Sequence, residues 1–132
     1  MLTELYDTYG CLKVFVYFNL HRKCWSIKAL EGAHKGRVIE HADEVSLDGP
    51  VFKVSEAGRQ RVLREGRKNV HAGVVGWLRP DIDYIDGWWE QAYYNPRKVE
   101  TFVRRDTGGP IKQAKWAVLN DERQVWFKDM VA

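Results

Sequence analysis

The chain has 132 residues, 45% of them hydrophobic and 13% aromatic, which is enough apolar material for one core and excludes disorder throughout. Lys and Arg number 21 against 18 Asp and Glu, a net charge of +3 with a pI near 8.9, so the molecule is no polycation and affinity for phosphates has to come from local clustering. Apolar runs such as VFVYF (14–18) and AGVVGWL (72–78) are too short to span a bilayer, and Glu4 and Asp7 stand where a signal peptide would carry positive charge. The expectation is a soluble protein of the cytoplasm, with Cys11 and Cys24 as reduced core thiols.

Alternation dominates the first half. In LKVFVYF (12–18), Leu12, Val14, Val16 and Phe18 share one face and Lys13, Phe15 and Tyr17 the other, which predicts a strand with a buried side. RKCWSIKAL reads the same way, EGAHKG as a loop, and GRVIEHADEVSL as one or two strands. LDGP predicts a turn, and VFKV a short strand after it.

The texture changes at Ser55. SEAGRQRVLREG holds a capping serine, a glutamate in the first turn and Gly66 at the stop, so one short helix is expected even with Gly58 inside it. Val62 and Leu63 point to one side of that helix, with Arg61 and Arg64 opposite. NVHAGVVGWL returns to strand, with Gly73 and Gly76 marking a bulge or a close backbone approach. RPDIDYIDG is an acidic connection and WWEQAYY an aromatic segment of either type.

The end of the chain echoes the beginning. Tyr17 to Lys23, Trp25-Ser26-Ile27, Gly36-Arg37-Val38, Val45 to Leu47 and Val51 to Val54 are answered, in order, by five later stretches. These are Tyr93 to Lys98, Thr101-Phe102-Val103, Gly109-Pro110-Ile111, Trp116 to Leu119 and Val125 to Lys128. The expected fold class is α+β, a mainly antiparallel sheet with one short central helix. A single domain over 1–132 with two related β units, 12–54 and 88–128, fits this pattern.

Between positions 59 and 68 stand Arg59, Arg61, Arg64, Arg67 and Lys68, against Glu65 alone. Four of the five are arginines, whose planar fork matches phosphate and carboxylate geometry and is not needed for solubility alone; the alternative is a plain solvated helix face, on which basic runs are common. Arg59 lies nearer the apolar face and is expected to pair with a carboxylate rather than face solvent. The expected contact surface is Arg61, Arg64, Arg67 and Lys68 with the neighbouring Asn69 and His71, the histidine more often a structural residue than an acid or base. Trp77, Trp88, Trp89, Tyr93 and Tyr94 supply either stacking platforms for single-stranded nucleic acid or anchors for a protein partner, with core filling as the plainer role.

Other chemistry lacks its signature. Asp81, Asp83 and Asp86 are misplaced for a calcium loop, and the His21/Cys24 and His41/Asp43 spacings lack the second half of a zinc site, so neither metal nor cofactor is expected. No nucleophile elbow, P-loop or dinucleotide fingerprint is present, which leaves no catalytic residue to name beyond weak acid-base candidates in Glu65, His71 and Asp86.

The combination of GRVIEHADEVSL, VFKVSEAGRQRVLREGRKNVHAGVVG and YYNPRKVETFV resembles small uncharacterised proteins of tailed bacteriophages and prophages. The resemblance implies a product made inside an infected bacterium, acting on nucleic acid or on a host protein complex such as a defence system. The residues point to a non-enzymatic binding protein, monomer or homodimer, whose partner is nucleic acid or a nucleoprotein. The alternative is a protein-binding inhibitor or assembly factor that uses the aromatic segment.

Overall fold

The computed structural model describes residues 11–66, 69–79 and 89–129. Four strands come first: β1 (Lys13–Asn19), β2 (Cys24–Ala29), β3 (Val38–Ala42) and β4 (Val45–Val54). The helix α1 (Glu56–Glu65) follows, then β5 (Ala72–Leu78), β6 (Glu90–Tyr93), β7 (Val103–Arg104), β8 (Trp116–Leu119) and β9 (Val125–Lys128). All nine strands join one antiparallel sheet in the order β3-β2-β1-β5-β4-β8-β9-β6-β7, so the expected mainly antiparallel α+β class is what the chain adopts.

The period of two decides which face is buried. Val14 and Val16 are fully buried and Leu12 and Phe18 pack against the same core, while Phe15 and Tyr17 stack on the opposite face with ring centroids 5.8 Å apart. Ile27, Leu47, Val74, Leu78, Ala117 and Phe127 complete one core drawn from both ends of the sheet. That core exists because the sheet curls. β2 and β8 stand four strand spacings apart, about 19 Å across a flat sheet, yet Trp25 Nε1 donates to the carbonyl of Asn120, just past β8, at 2.8 Å. The curl brings the β8–β9 turn over the ends of β1 and β2.

Both glycines of β5 mark close approaches. A Cβ on Gly73 would lie 2.5 Å from the carbonyl oxygen of Val16 and 2.6 Å from the Phe15 ring, and one on Gly76 would lie 3.1 Å from the carbonyl of Asp48. The two-residue edge strand β7 is held by Arg104, which donates to Glu90 (2.7 Å) and Asp129 (2.5 Å). The Asp129 and Glu90 hydrogen bonds keep its guanidinium protonated beyond the usual range.

Several sequence expectations are corrected. LDGP is no turn: β4 runs unbroken through it, with a register shift between Asp48 and Val51 that Gly49 absorbs at φ +59°. Leu63 is exposed, because α1 packs through Val62 and the stem of Arg59 and buries little else. Cys11 is exposed and Cys24 half-buried, so neither is a core thiol; Cys24 ends the β1–β2 hairpin, where its neighbour Trp25 takes the inward position. Outward from the β4·β8 pair the sheet runs β5-β1-β2-β3 on one side and β9-β6-β7 on the other. Val51 to Val54, expected as a separate short strand, prolong β4.

Candidate anion-binding cleft

The helix is built as its ends required. The Ser55 side chain accepts from the backbone N–H of Gly58 at 3.2 Å, and Gly66, at φ +69°, donates to the carbonyl of Val62 at 2.9 Å. Arg59 does not face solvent. Its Nε donates to the carbonyls of Pro96 (3.1 Å) and Val99 (3.2 Å), and its Nη1 meets Glu56 at 3.1 Å. The Glu56 carboxyl, hydrogen-bonded by Gln60 and beside Arg59, is held below its usual range. This arginine therefore pins the helix to the segment that follows β6.

Gly58 lies against His71, where a Cβ would come 2.6 Å from the His71 Cβ. His71 Nδ1 is 2.8 Å from the carbonyl of Asn69, a group that only accepts, so in the neutral ring Nδ1 carries the proton and Nε2 accepts from the Tyr94 hydroxyl at 2.5 Å. Both ring nitrogens are thereby engaged, and the ring orients Tyr94. Burial pushes the Tyr94 phenol up to about 12.

Around this pair opens a cleft of about 590 Å³. Val62 of the helix and Gly66 at its C-cap, Asn69 and His71, Tyr93 and Tyr94, and Phe18, Trp25 and Phe102 all line it. Three arginines from separate turns complete the wall: Arg97, Arg105 and Arg123. Arg97 follows an Asn95 turn in which Asn95 Oδ1 accepts from its backbone N–H at 2.9 Å. Arg123 occupies the β8–β9 turn at φ +64°, its guanidinium 4.5 Å from the Phe18 ring centroid, and Arg105 lies 5.7 Å from that of Tyr93. Among the described residues none of the three makes an ion pair, and none of the described residues lining the cleft is Asp or Glu. An anion entering it meets guanidinium forks and aromatic faces, with no carboxylate from the described lining to compete.

The residues singled out from sequence divide between places. Asn69, His71, Tyr93 and Tyr94 come together in the cleft. Arg61 and Arg64 stay exposed on the flank of α1, Arg61 only 3.9 Å from Glu65, and do not line it. Trp77 projects from the other face of the sheet, 41% exposed, and Trp89 is half-buried. Arg67, Lys68 and Trp88 lie outside the described residues, as do Asp81, Asp83 and Asp86. Arg97, Arg105 and Arg123 were missed, being separated along the chain and joined only by the curl. No group of three His, Cys, Asp or Glu among the described residues is placed to hold a metal ion, and no described helix is long and apolar enough to cross a membrane.

The family model described as Mycobacterium phage L5 gene 82 protein matches residues 8–126. The gene 82 protein of Mycobacterium phage L5 is 42% identical over 118 residues, covering 83% of this chain and 91% of that protein. No solved structure matches the chain significantly. The resemblance to phage proteins read from GRVIEHADEVSL and the segments after it thus has a definite address: the chain belongs to the Mycobacterium phage L5 gene 82 protein family.

Proposed function

We propose that the protein is a non-enzymatic nucleic-acid-binding protein that acts in the cytoplasm of the infected bacterium and holds a strand, free or within a nucleoprotein, in the cleft. The observation that carries this reading is the set of Arg97, Arg105 and Arg123, without carboxylate partners among the described residues, around a cleft whose described lining holds no acid. Its volume of about 590 Å³ lies in the range of small-ligand sites and is large enough for a nucleotide unit of a strand. Tyr93 and the neighbouring rings offer faces on which a base stacks, and the forks meet the phosphates. Arg61 and Arg64, exposed on α1, add positive charge to the helix whose Val62 lines the cleft. The engaged ring of His71 and the un-ionised Tyr94 phenol give the cleft no ready base, which supports binding over catalysis.

The test is fluorescence anisotropy with a labelled oligothymidylate. Three phosphate contacts on a single strand give a salt slope of about −2, so affinity falls roughly twentyfold between about 50 and 200 mM salt. The combined Arg97→Gln, Arg105→Gln and Arg123→Gln variant loses that dependence with its affinity. Unchanged binding and slope in this variant refute the assignment of the cleft.

A further inference from the structure

The face of the sheet opposite the core carries a second, independent feature. In antiparallel pairs, residues directly opposite one another project from the same face. Lys13 pairs with Trp77, Trp77 with Asp48, Asp48 with Trp116, and Trp116 with Lys128, so these five side chains form one continuous row across β1, β5, β4, β8 and β9. Their chain neighbours Val14, Leu78, Leu47, Ala117 and Phe127 are buried, which places the row on the outside. Four strand spacings make it about 19 Å long.

The chemistry of the row is charge, ring, charge, ring, charge. Lys13 Nζ lies 5.3 Å from the Trp77 ring centroid. Lys115 Nζ (4.7 Å), Arg79 (5.0 Å) and Lys128 Nζ (5.7 Å) surround that of Trp116. Trp77 lies over the β4 bulge, where Gly49 has no Cβ to meet it; one would fall 3.4 Å from the ring. The result is a tryptophan 41% exposed on an interior strand, with the Lys13 ammonium beside its ring. Asp48 is the one acid of the row, its side chain 54% exposed and 3.7 Å from Arg79. Lys13 and Lys115 have no carboxylate partner among the described residues.

This pattern selects its occupant. A second copy laid on it by a two-fold axis, along the row or across it, sets Lys against Lys and Asp against Asp, a like-charge arrangement that association does not tolerate cheaply. A nucleic-acid strand running along it meets the exposed Asp48 carboxylate at the centre. A protein segment with carboxylates toward the ends and an aromatic residue between them meets complementary charge at the lysines and an exposed indole, the kind of anchor on which binding energy concentrates.

We propose that the Lys13–Trp77–Asp48–Trp116–Lys128 row is a docking surface for an acidic protein segment that seats an aromatic side chain on Trp77. It does not rest on the nucleic-acid reading of the cleft. The probe is a random Glu/Tyr copolymer, compared with polyglutamate and with oligothymidylate, each immobilised and titrated with the full chain. The copolymer is expected to bind more tightly than polyglutamate. Trp77→Ala weakens it by about tenfold or more, Trp77→Phe restores part of the loss, and Lys13→Gln with Lys115→Gln flattens its salt dependence. The three arginine substitutions in the cleft leave it unchanged. Equal binding of copolymer and polyglutamate, no copolymer binding, or indifference to Trp77→Ala overturns the proposal. So does a loss of oligothymidylate binding or of self-association on Trp77→Ala, which would make the occupant nucleic acid or a second copy. Matching thermal melts for the exposed-site variants separate these outcomes from loss of fold.

Discussion

Gly58→Ala sets two rules against each other with opposite signs. Position 58 is inside α1, where alanine is better than glycine by about 1 kcal/mol, so propensity alone predicts a more stable protein. The structure predicts the reverse. The added carbon would lie 2.6 Å from the His71 Cβ and 3.3 Å from Ser55 Oγ, against an ordinary carbon contact of about 3.5–4.0 Å. Relief requires roughly 1 Å of movement, through lifting the helix or turning His71, and overpacking of this kind costs about 1–3 kcal/mol. Either movement also breaks the His71–Tyr94 hydrogen bond, worth about another 1 kcal/mol. The balance is a net destabilisation of about 1–3 kcal/mol. Urea denaturation reads it as a lower midpoint at unchanged slope, and oligothymidylate affinity falls with it as the cleft loses the position of Tyr94. A variant more stable than the parent by about 1 kcal/mol would refute the argument that helix and cleft are packed through this glycine.

Gly73→Ala drives a Cβ into the backbone carbonyl of Val16 on the paired strand, which has no side-chain freedom with which to yield; a cooperative melt at the parental temperature would contradict this. Arg59→Met leaves the carbonyls of Pro96 and Val99 without their charged donor and should cost about 2 kcal/mol in a denaturant titration, most of it absent if the helix does not depend on that anchor. In the folded protein the Tyr94 phenol should ionise near pH 12 by ultraviolet difference titration, and Tyr94→Phe should remove that step. Because its folded value is raised, the associated stability is complete below pH 10, the ordinary phenol value, and fades as pH rises through 12. The variant should therefore show a flatter alkaline limb.

What the sequence made legible was what a short window contains. The pleat imposes the period that LKVFVYF displays, and Ser55 and Gly66 end a helix by chemistry that acts within four residues, so β1 and α1 could be read directly. LDGP could not, because a turn and a bulge both place glycine at positive φ, and only the partner strands, β5 and β8, decide that β4 continues. The arginines of the cleft were hidden for the same physical reason. Positive charge is densest along the chain at 59–68, where Arg59 is taken up by two carbonyls, Arg61 leans toward Glu65, and Arg67 and Lys68 lie outside the described residues. The cleft instead gathers Arg97, Arg105 and Arg123 from three turns, because the curl that joins Trp25 to Asn120 also carries the β8–β9 turn to Phe18. The row on the outer face is harder still to read, since its members span Lys13 to Lys128 and share only a register. In an antiparallel sheet each pairing is set by the turns between the strands and by the burial of the opposite face, so a surface assembled across five strands has no spacing of its own to find. Its residues are fixed by Val14, Leu78, Leu47, Ala117 and Phe127 facing inward, and the core thus determines which charges and rings meet outside.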